Sequence, residues 1–88
     1  MKFAFAQIME FGTDNGVVEA ESAQEVFDEI RFTKGCPLFD LFVAETDLDG
    51  FPSDDGEWEA LWDALTEGTP HKNLIGKRFQ AYMTLEEM

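Results

Sequence analysis

The sequence predicts a two-layer α+β domain, in which a four-stranded mixed sheet carries both helices on one face in the order ββαβαβ. Three observations support this fold class. The chain has 88 residues, which is enough for one hydrophobic core but not for two. Its apolar residues alternate with period two in some segments and recur at helical spacing in others. Clusters of Gly, Pro, Asn and Asp separate these segments.

The first ten residues are predicted to form a central strand. Phe3 and Phe5 alternate with alanines, so one face of the strand is bulky and the other is small. Because both faces are apolar, we expect this strand to lie inside the sheet, with its aromatic face under the helices. Residues 12–16 contain an Asn-Gly turn signal, and residues 17–20 then form a short second strand that completes a hairpin.

A capping box marks the start of the first helix, because Ser22 is followed three residues later by Glu25. In such a box, the Glu25 carboxylate accepts a hydrogen bond from the Ser22 amide. The apolar residues after Ser22 recur at i, i+3, i+4 and i+7, which is typical of an amphipathic helix. Lys34 and Gly35 are predicted to end the helix, and residues 38–46 are predicted to form the third strand.

The second helix is predicted after a Gly/Pro-containing loop. Ser53 or Asp54 is a suitable N-cap, and Gly68 is a suitable end. Both tryptophans fall on the apolar stripe of this helix, so we expect them to pack on the sheet. A polar loop follows, and residues 77–85 alternate as expected for the last strand.

Composition restricts the class of partner. The formal net charge is −13. A net charge with a magnitude of about 2–8 is enough to keep a small domain soluble. Nucleic acids and anionic membranes are negative, so we expect the chain to bind neither, and a basic protein is its natural complement. The sequence has a single cysteine, no run of apolar residues that predicts a membrane helix, and no signal-peptide pattern. We therefore expect a soluble, cytoplasmic protein.

The acidic residues are clustered. Residues 45–67 contain nine acidic residues and no Lys or Arg. Each predicted helix also carries a ladder of acids at i, i+4 and i+8 on its solvent face. The predicted partner-binding residues are these two ladders, the acids of the loop and one aromatic residue: Glu21, Glu25, Glu29, Asp47, Asp49, Phe51, Asp54, Asp55, Glu59, Asp63 and Glu67.

The ladders predict a surface that imitates nucleic acid. Helices usually mix charges, because like charges at i, i+4 cost about 0.2–0.5 kcal/mol. Carboxylates one such step apart are separated by ~6 Å along the axis, and a line of them can occupy the Lys/Arg groove of a nucleic-acid-binding protein. Phe51 is either a plug into the core or an exposed apolar anchor beside this charge. The leading hypothesis is a non-enzymatic protein that docks onto a basic, nucleic-acid-binding protein and inhibits it.

In size and charge, the chain resembles the small acidic inhibitors made by phages and mobile elements. These include DNA-mimic anti-restriction proteins, anti-CRISPR proteins and uracil-glycosylase inhibitors. The resemblance is one of class and carries no residue assignments. It implies a protein that acts by binding and not by catalysis.

An alternative is a structural or regulatory module whose charge serves only solubility. Such a module could self-associate as a homodimer through an open sheet face, where Tyr82 lies with Arg78 and Gln80 in the predicted last strand. A solvated acidic surface without a partner is the simplest form of this alternative.

A weak carboxylate metal site is the third hypothesis. The loop that begins at Asp47 opens like a calcium loop, but positions five, six and twelve do not fit the EF-hand pattern. No cofactor and no catalytic residue is assigned. Cys36 and His71 form a nucleophile pair only if the fold brings them together.

Overall fold

A computed structural model describes residues 1–10, 12–33, 40–81 and 85–87. The α+β class and the order ββαβαβ are confirmed, and a short fifth strand follows. The elements are β1 (Lys2–Met9), β2 (Gly12–Glu19), α1 (Ala23–Thr33), β3 (Asp40–Thr46), α2 (Asp55–Glu67), β4 (Leu74–Ala81) and β5 (Leu85–Glu87).

Every neighbouring pair of strands in the sheet is antiparallel, so the predicted mixed sheet is wrong. The strand order is β2-β1-β3-β4-β5. The connection through α1 does join two strands that run in the same direction, β2 and β3. However, β1 lies between them and pairs antiparallel with both. At one edge of the sheet, β5 pairs with β4 and adds a fifth strand to the four that were predicted.

The two helices lie on opposite faces of the sheet, which corrects the prediction that both lie on one face. The side chains of α1 pack with Phe3 and Phe5, whereas Leu61 and Leu65 of α2 pack with the alanine face of β1 and with Phe42 of β3. Successive residues of a strand point to opposite faces, so these two clusters are separated by the sheet. The physical reason is that β1 and β3 are apolar on both faces, and both faces must be buried. The domain has three layers.

Residues 12–16 belong to β2 and do not form the predicted turn. The pairing of β2 with β1 runs without interruption from Lys2–Glu19 to Met9–Gly12. The paired residues therefore extend to Met9 and Gly12, and position 11 lies outside the described residues. A Cβ atom at Gly16 would come within 3.0 Å of the Phe5 ring. Glycine thus allows the close approach of an aromatic ring to this strand, and cross-strand packing outweighs the local turn preference.

The start of α1 is capped by Ser22, as predicted. The Ser22 hydroxyl accepts a hydrogen bond from the Glu25 amide at 3.2 Å. The Glu25 carboxylate in turn accepts from the Glu21 amide at 3.0 Å, one residue earlier than predicted. The predicted end of this helix at Lys34 and Gly35 lies outside the described residues.

The structure describes two of the three residues of the open sheet face predicted around the last strand. Arg78 and Gln80 are half-buried. Arg78 is paired with Ala44 and so lies on the face that α2 covers. The Gln80 amide donates a hydrogen bond to Asp40 at 2.9 Å, and Tyr82 lies outside the described residues. The strand also begins earlier than predicted, at Leu74.

One buried polar group has a testable consequence for stability. Gln7 is 1% exposed on the face of β1 that α1 covers, and neither polar atom of its side chain has a hydrogen-bond partner within the described ranges. Replacing such a group by an apolar one of similar shape removes a desolvation penalty of about 1–3 kcal/mol. We therefore expect Gln7→Met to raise the free energy of unfolding by about that amount in urea titrations.

Gln80→Met is the matched control for this change. It removes the same amide, but one that already has a partner in Asp40. We expect Gln80→Met to lower the free energy of unfolding by about 0.5–1.5 kcal/mol. A loss of stability in Gln7→Met would contradict the assignment of Gln7 as an unsatisfied group.

Candidate protein-binding surface

The acids between residues 47 and 67 lie on α2 and on the loop before it. We call this the α2 acidic surface. Helix α2 turns Leu61, Ala64 and Leu65 into the core. Helical spacing leaves Asp55, Glu59, Asp63 and Glu67 on its other side, whereas Glu57 lies towards His71 and Lys72. The members of the surface are Asp47, Asp49, Asp54, Asp55, Glu57, Glu59 and Glu67, which are exposed, and Asp63, which is half-buried.

The ladder on α1 is separate from this surface. Glu21, Glu25 and Glu29 are exposed, but α1 and α2 cover opposite faces of the sheet. The predicted partner-binding residues therefore do not form one surface. The structure brings together those between 47 and 67, and it places the three on α1 on the far side of the domain.

Three acids of the α2 acidic surface also have structural roles. Asp54 is the N-cap of α2, because its carboxylate accepts a hydrogen bond from the Glu57 amide at 3.1 Å. Asp47 accepts from the Asn73 side chain at 2.8 Å, which ties the loop to the start of β4. Asp49 is bound by Lys2. These contacts hold the loop on the domain. None of them involves the side chain of an acid within α2.

The pair formed by Lys2 and Asp49 shifts the pKa of both groups. The hydrogen bond and the charge of Lys2 hold the pKa of the Asp49 carboxyl below its usual range, and Asp49 raises the pKa of Lys2 in return. Both side chains are accessible to water, so the pair adds little to stability. The other ion pair within the described ranges joins the Met1 amino group to Glu19. No acid of α2 has an ion-pair partner among the described residues.

The charge pattern of α2 is favourable at its start and unfavourable at its end. Asp55 and Glu57 lie in the first turn, where negative charge interacts well with the helix dipole. Glu67 lies in the last turn, which contains no basic residue. The helix ends at Gly68, which has φ 79° and donates its amide hydrogen bond to Ala64. The helix thus keeps an acidic residue where a cation would stabilise it.

Arg78 of β4 supplies a cation to the end of α2, but to the backbone. Its Nη1 donates hydrogen bonds to the carbonyls of Leu65 at 2.7 Å and Thr66 at 3.0 Å. The guanidinium lies 5.3 Å from the centre of the Phe42 ring. Carbonyls at a helix C-terminus are partly negative, so Arg78 fixes the end of α2 to the sheet without neutralising the acidic side chains.

Removing this contact is expected to loosen α2. Arg78→Leu keeps an apolar stem over Phe42 but loses both hydrogen bonds, and bonds to charged groups contribute about 1.5–3 kcal/mol. We expect the free energy of unfolding to fall by that amount in urea titrations. Lys72→Leu removes the same charge from an exposed site and should change stability by less than about 0.5 kcal/mol. Equal effects of the two variants would show that net charge, and not the contact, is responsible.

Three aromatic side chains line one flank of α2, and we call them the aromatic row. Trp58 and Trp62 stack with ring centres 5.2 Å apart and planes 8° apart. Phe51 meets Trp58 edge-on, with ring centres 5.9 Å apart. All three are half-buried. Phe51 and Trp62 pack at the margin of the α2 core, so Phe51 is part of this row and not a separate exposed anchor.

The aromatic row is the part of the surface that sequence reasoning missed. Helical spacing predicted that both tryptophans pack on the sheet. Trp62 does pack at the edge of the core between α2 and the sheet. Trp58 instead packs on Trp62 and Phe51. The signal was present in the spacing of Trp58 and Trp62, because residues four apart on a helix are neighbours and can stack on each other.

His71 has a structural role in the loop before β4. Its Nδ1 accepts a hydrogen bond from the Asn73 amide at 3.1 Å. It lies between two cavities of about 360 and 630 Å³ on the other flank of α2, whose linings mix acids with Lys72 and Arg78. Cys36 lies outside the described residues, so the structure does not test whether the fold brings it to His71.

Within the described ranges, no group of three or more His, Cys, Asp or Glu residues is arranged to hold a metal ion. Neither helix that the structure describes is long and apolar enough to cross a membrane. Comparison with protein-family models, curated proteins and solved structures finds no match to this chain.

Proposed function

We propose that this chain is a non-enzymatic binding protein whose α2 acidic surface docks onto a basic, nucleic-acid-binding protein and blocks its binding site. One observation carries the proposal. Asp55, Glu59, Asp63 and Glu67 follow one another along the side of α2 that faces away from the core, and no described cation forms an ion pair with them. A folded domain gains nothing in stability from such a surface, since like charges at i, i+4 on a helix repel each other.

The arrangement suits a groove lined with Lys and Arg. The i, i+4 spacing of Glu59, Asp63 and Glu67 places a carboxylate every ~6 Å along the helix axis. Attraction to such a line steers a basic partner and weakens with salt, as binding to DNA does. Because α1 covers the opposite face of the sheet, a partner bound to α2 leaves the α1 ladder in solvent. Inhibition by occupying a nucleic-acid site is also the mode of action that the likeness to phage and mobile-element inhibitors implies.

The self-association alternative has less support than the acidic surface, and Tyr82, one of its predicted residues, lies outside the described ranges. That alternative needed an open sheet face, and both faces of β1 and β3 are covered by helices.

Capture from a host lysate tests the proposal. The immobilised chain is exposed to lysate, washed with increasing salt, and challenged separately with double-stranded DNA. We expect a basic, nucleic-acid-binding protein to be retained at low salt, shed as salt rises, and displaced by the DNA. Retention of acidic proteins alone, or of a basic protein that DNA does not displace, would overturn the proposal.

A further inference from the structure

The flank of α2 beside the acids is only partly covered by the rest of the domain. Leu61 and Leu65 are fully buried, whereas the aromatic row remains half-exposed. Half-exposed aromatic side chains at the border of a charged surface are typical of the centre of a protein interface. This flank therefore offers more than charge to a partner.

Each tryptophan has a carboxylate one helical turn before it. Asp55 precedes Trp58 by three residues, and Glu59 precedes Trp62 by three residues. Residues three apart on a helix have Cβ atoms about 5–6 Å apart, so each acid lies next to its indole. The carboxylate–indole pair is repeated after four residues, which is a rise of ~6 Å along the axis.

This combination favours arginine over lysine. A guanidinium is planar, stacks on aromatic rings, and binds a carboxylate through two parallel hydrogen bonds. An ammonium is a compact and strongly hydrated charge that gains less from a partly exposed ring. Alternate side chains of an extended chain are separated by about 6.4–6.8 Å, close to the repeat of the carboxylate–indole pair.

We propose that this flank is a docking site for an extended, arginine-rich segment of the basic partner, with successive arginines on the Asp55–Trp58 and Glu59–Trp62 pairs. The inference rests on the proposed function and adds the residue preference and the site of contact. The occupant is a protein segment, because charge and aromatic surface together fit a guanidinium and not the phosphates of a nucleic acid.

Two dye-labelled peptides test the preference. The two peptides have the same length and the same charge. In the first peptide serine alternates with arginine, and in the second it alternates with lysine. Fluorescence anisotropy at low salt should show that the arginine peptide binds about fivefold more tightly. In Trp62→Leu the two affinities should agree within about twofold, with the lysine peptide unaffected. Phe79→Leu, which changes a half-buried aromatic residue packed with the α1 core, should keep the full preference.

A measurement on the unaltered protein does not depend on whether the variants fold. The arginine peptide should change the tryptophan emission at saturation, and the lysine peptide should leave it unchanged. If both peptides bind the unaltered protein equally well without changing the emission, acidic docking stands and the arginine inference is overturned. If neither peptide binds at low salt, both proposals fail.

Discussion

Reversing the charge of Glu59, Asp63 and Glu67 to lysine is expected to abolish partner binding and leave the fold intact. Like charges that face each other across an interface cost several kcal/mol, and about 1.4 kcal/mol is a factor of ten. We therefore expect a loss of affinity of at least about 100-fold. The readout is calorimetry with the captured partner or anisotropy with the arginine peptide.

The fold should tolerate these substitutions. Glu59 and Glu67 are exposed, and Asp63 is half-buried. The lysines relieve repulsion with the remaining acids, and Lys at position 67 interacts favourably with the C-terminal end of the helix dipole. Thermal unfolding should therefore occur at the same temperature or slightly higher.

A second triple variant on the opposite face is the control. Glu21→Lys, Asp28→Lys and Glu29→Lys change exposed residues of α1 and its N-terminal flank, and they shift the net charge by the same amount. We expect only a small loss of affinity for this variant, through the weakened long-range field. An equal loss in both variants would show that overall charge drives binding, and unchanged affinity in the α2 variant would refute the mechanism.

Introducing a carboxylate at Ala4 is expected to destabilise the protein strongly. Ala4 is fully buried on the small face of β1, where α2 packs. An unpaired charge buried there costs about 3–5 kcal/mol, and an 88-residue domain has a total stability of only about 4–13 kcal/mol. Ala4→Asp should thus lower the free energy of unfolding by at least about 3 kcal/mol, as measured by tryptophan fluorescence in urea.

Thr13→Asp separates burial from the effect of added charge. Thr13 is exposed on β2 and lies opposite Ile8, so it is on the same face of the sheet as Ala4. The same carboxylate at this site should change stability by less than about 0.5 kcal/mol. If Ala4→Asp were tolerated equally well, the small face of β1 would be open, and both helices would have to lie on the other face.

Local chemistry explains which parts of the fold could be predicted. Ser22 and Asp54 cap their helices through hydrogen bonds that span three residues, and Gly68 ends α2 in a conformation that favours glycine. These interactions depend on neighbours in the chain, so sequence alone reveals them. The acidic ladder of α2 is also local, because helical spacing by itself places its members on one side.

Long-range packing explains what could not be predicted. The Gly-rich start of β2 has the local preference of a turn, but pairing with all of β1 and the cover of the Phe5 ring make it a strand. Likewise, helical spacing alone does not tell whether Trp58 packs on the sheet or on Trp62. In each case the local sequence pattern allows two arrangements, and a contact in the folded protein selects one of them.

By itself, the sequence determined that this protein is an α+β domain, where α2 begins and ends, and that its acids gather between residues 45 and 67. Only the tertiary structure decided that the two acidic ladders lie on opposite faces and that the aromatic row borders one of them. The physical reason is that helical period and capping act within one element. The face on which a helix packs depends on two strands that are apolar on both sides, and their burial requires one helix for each face.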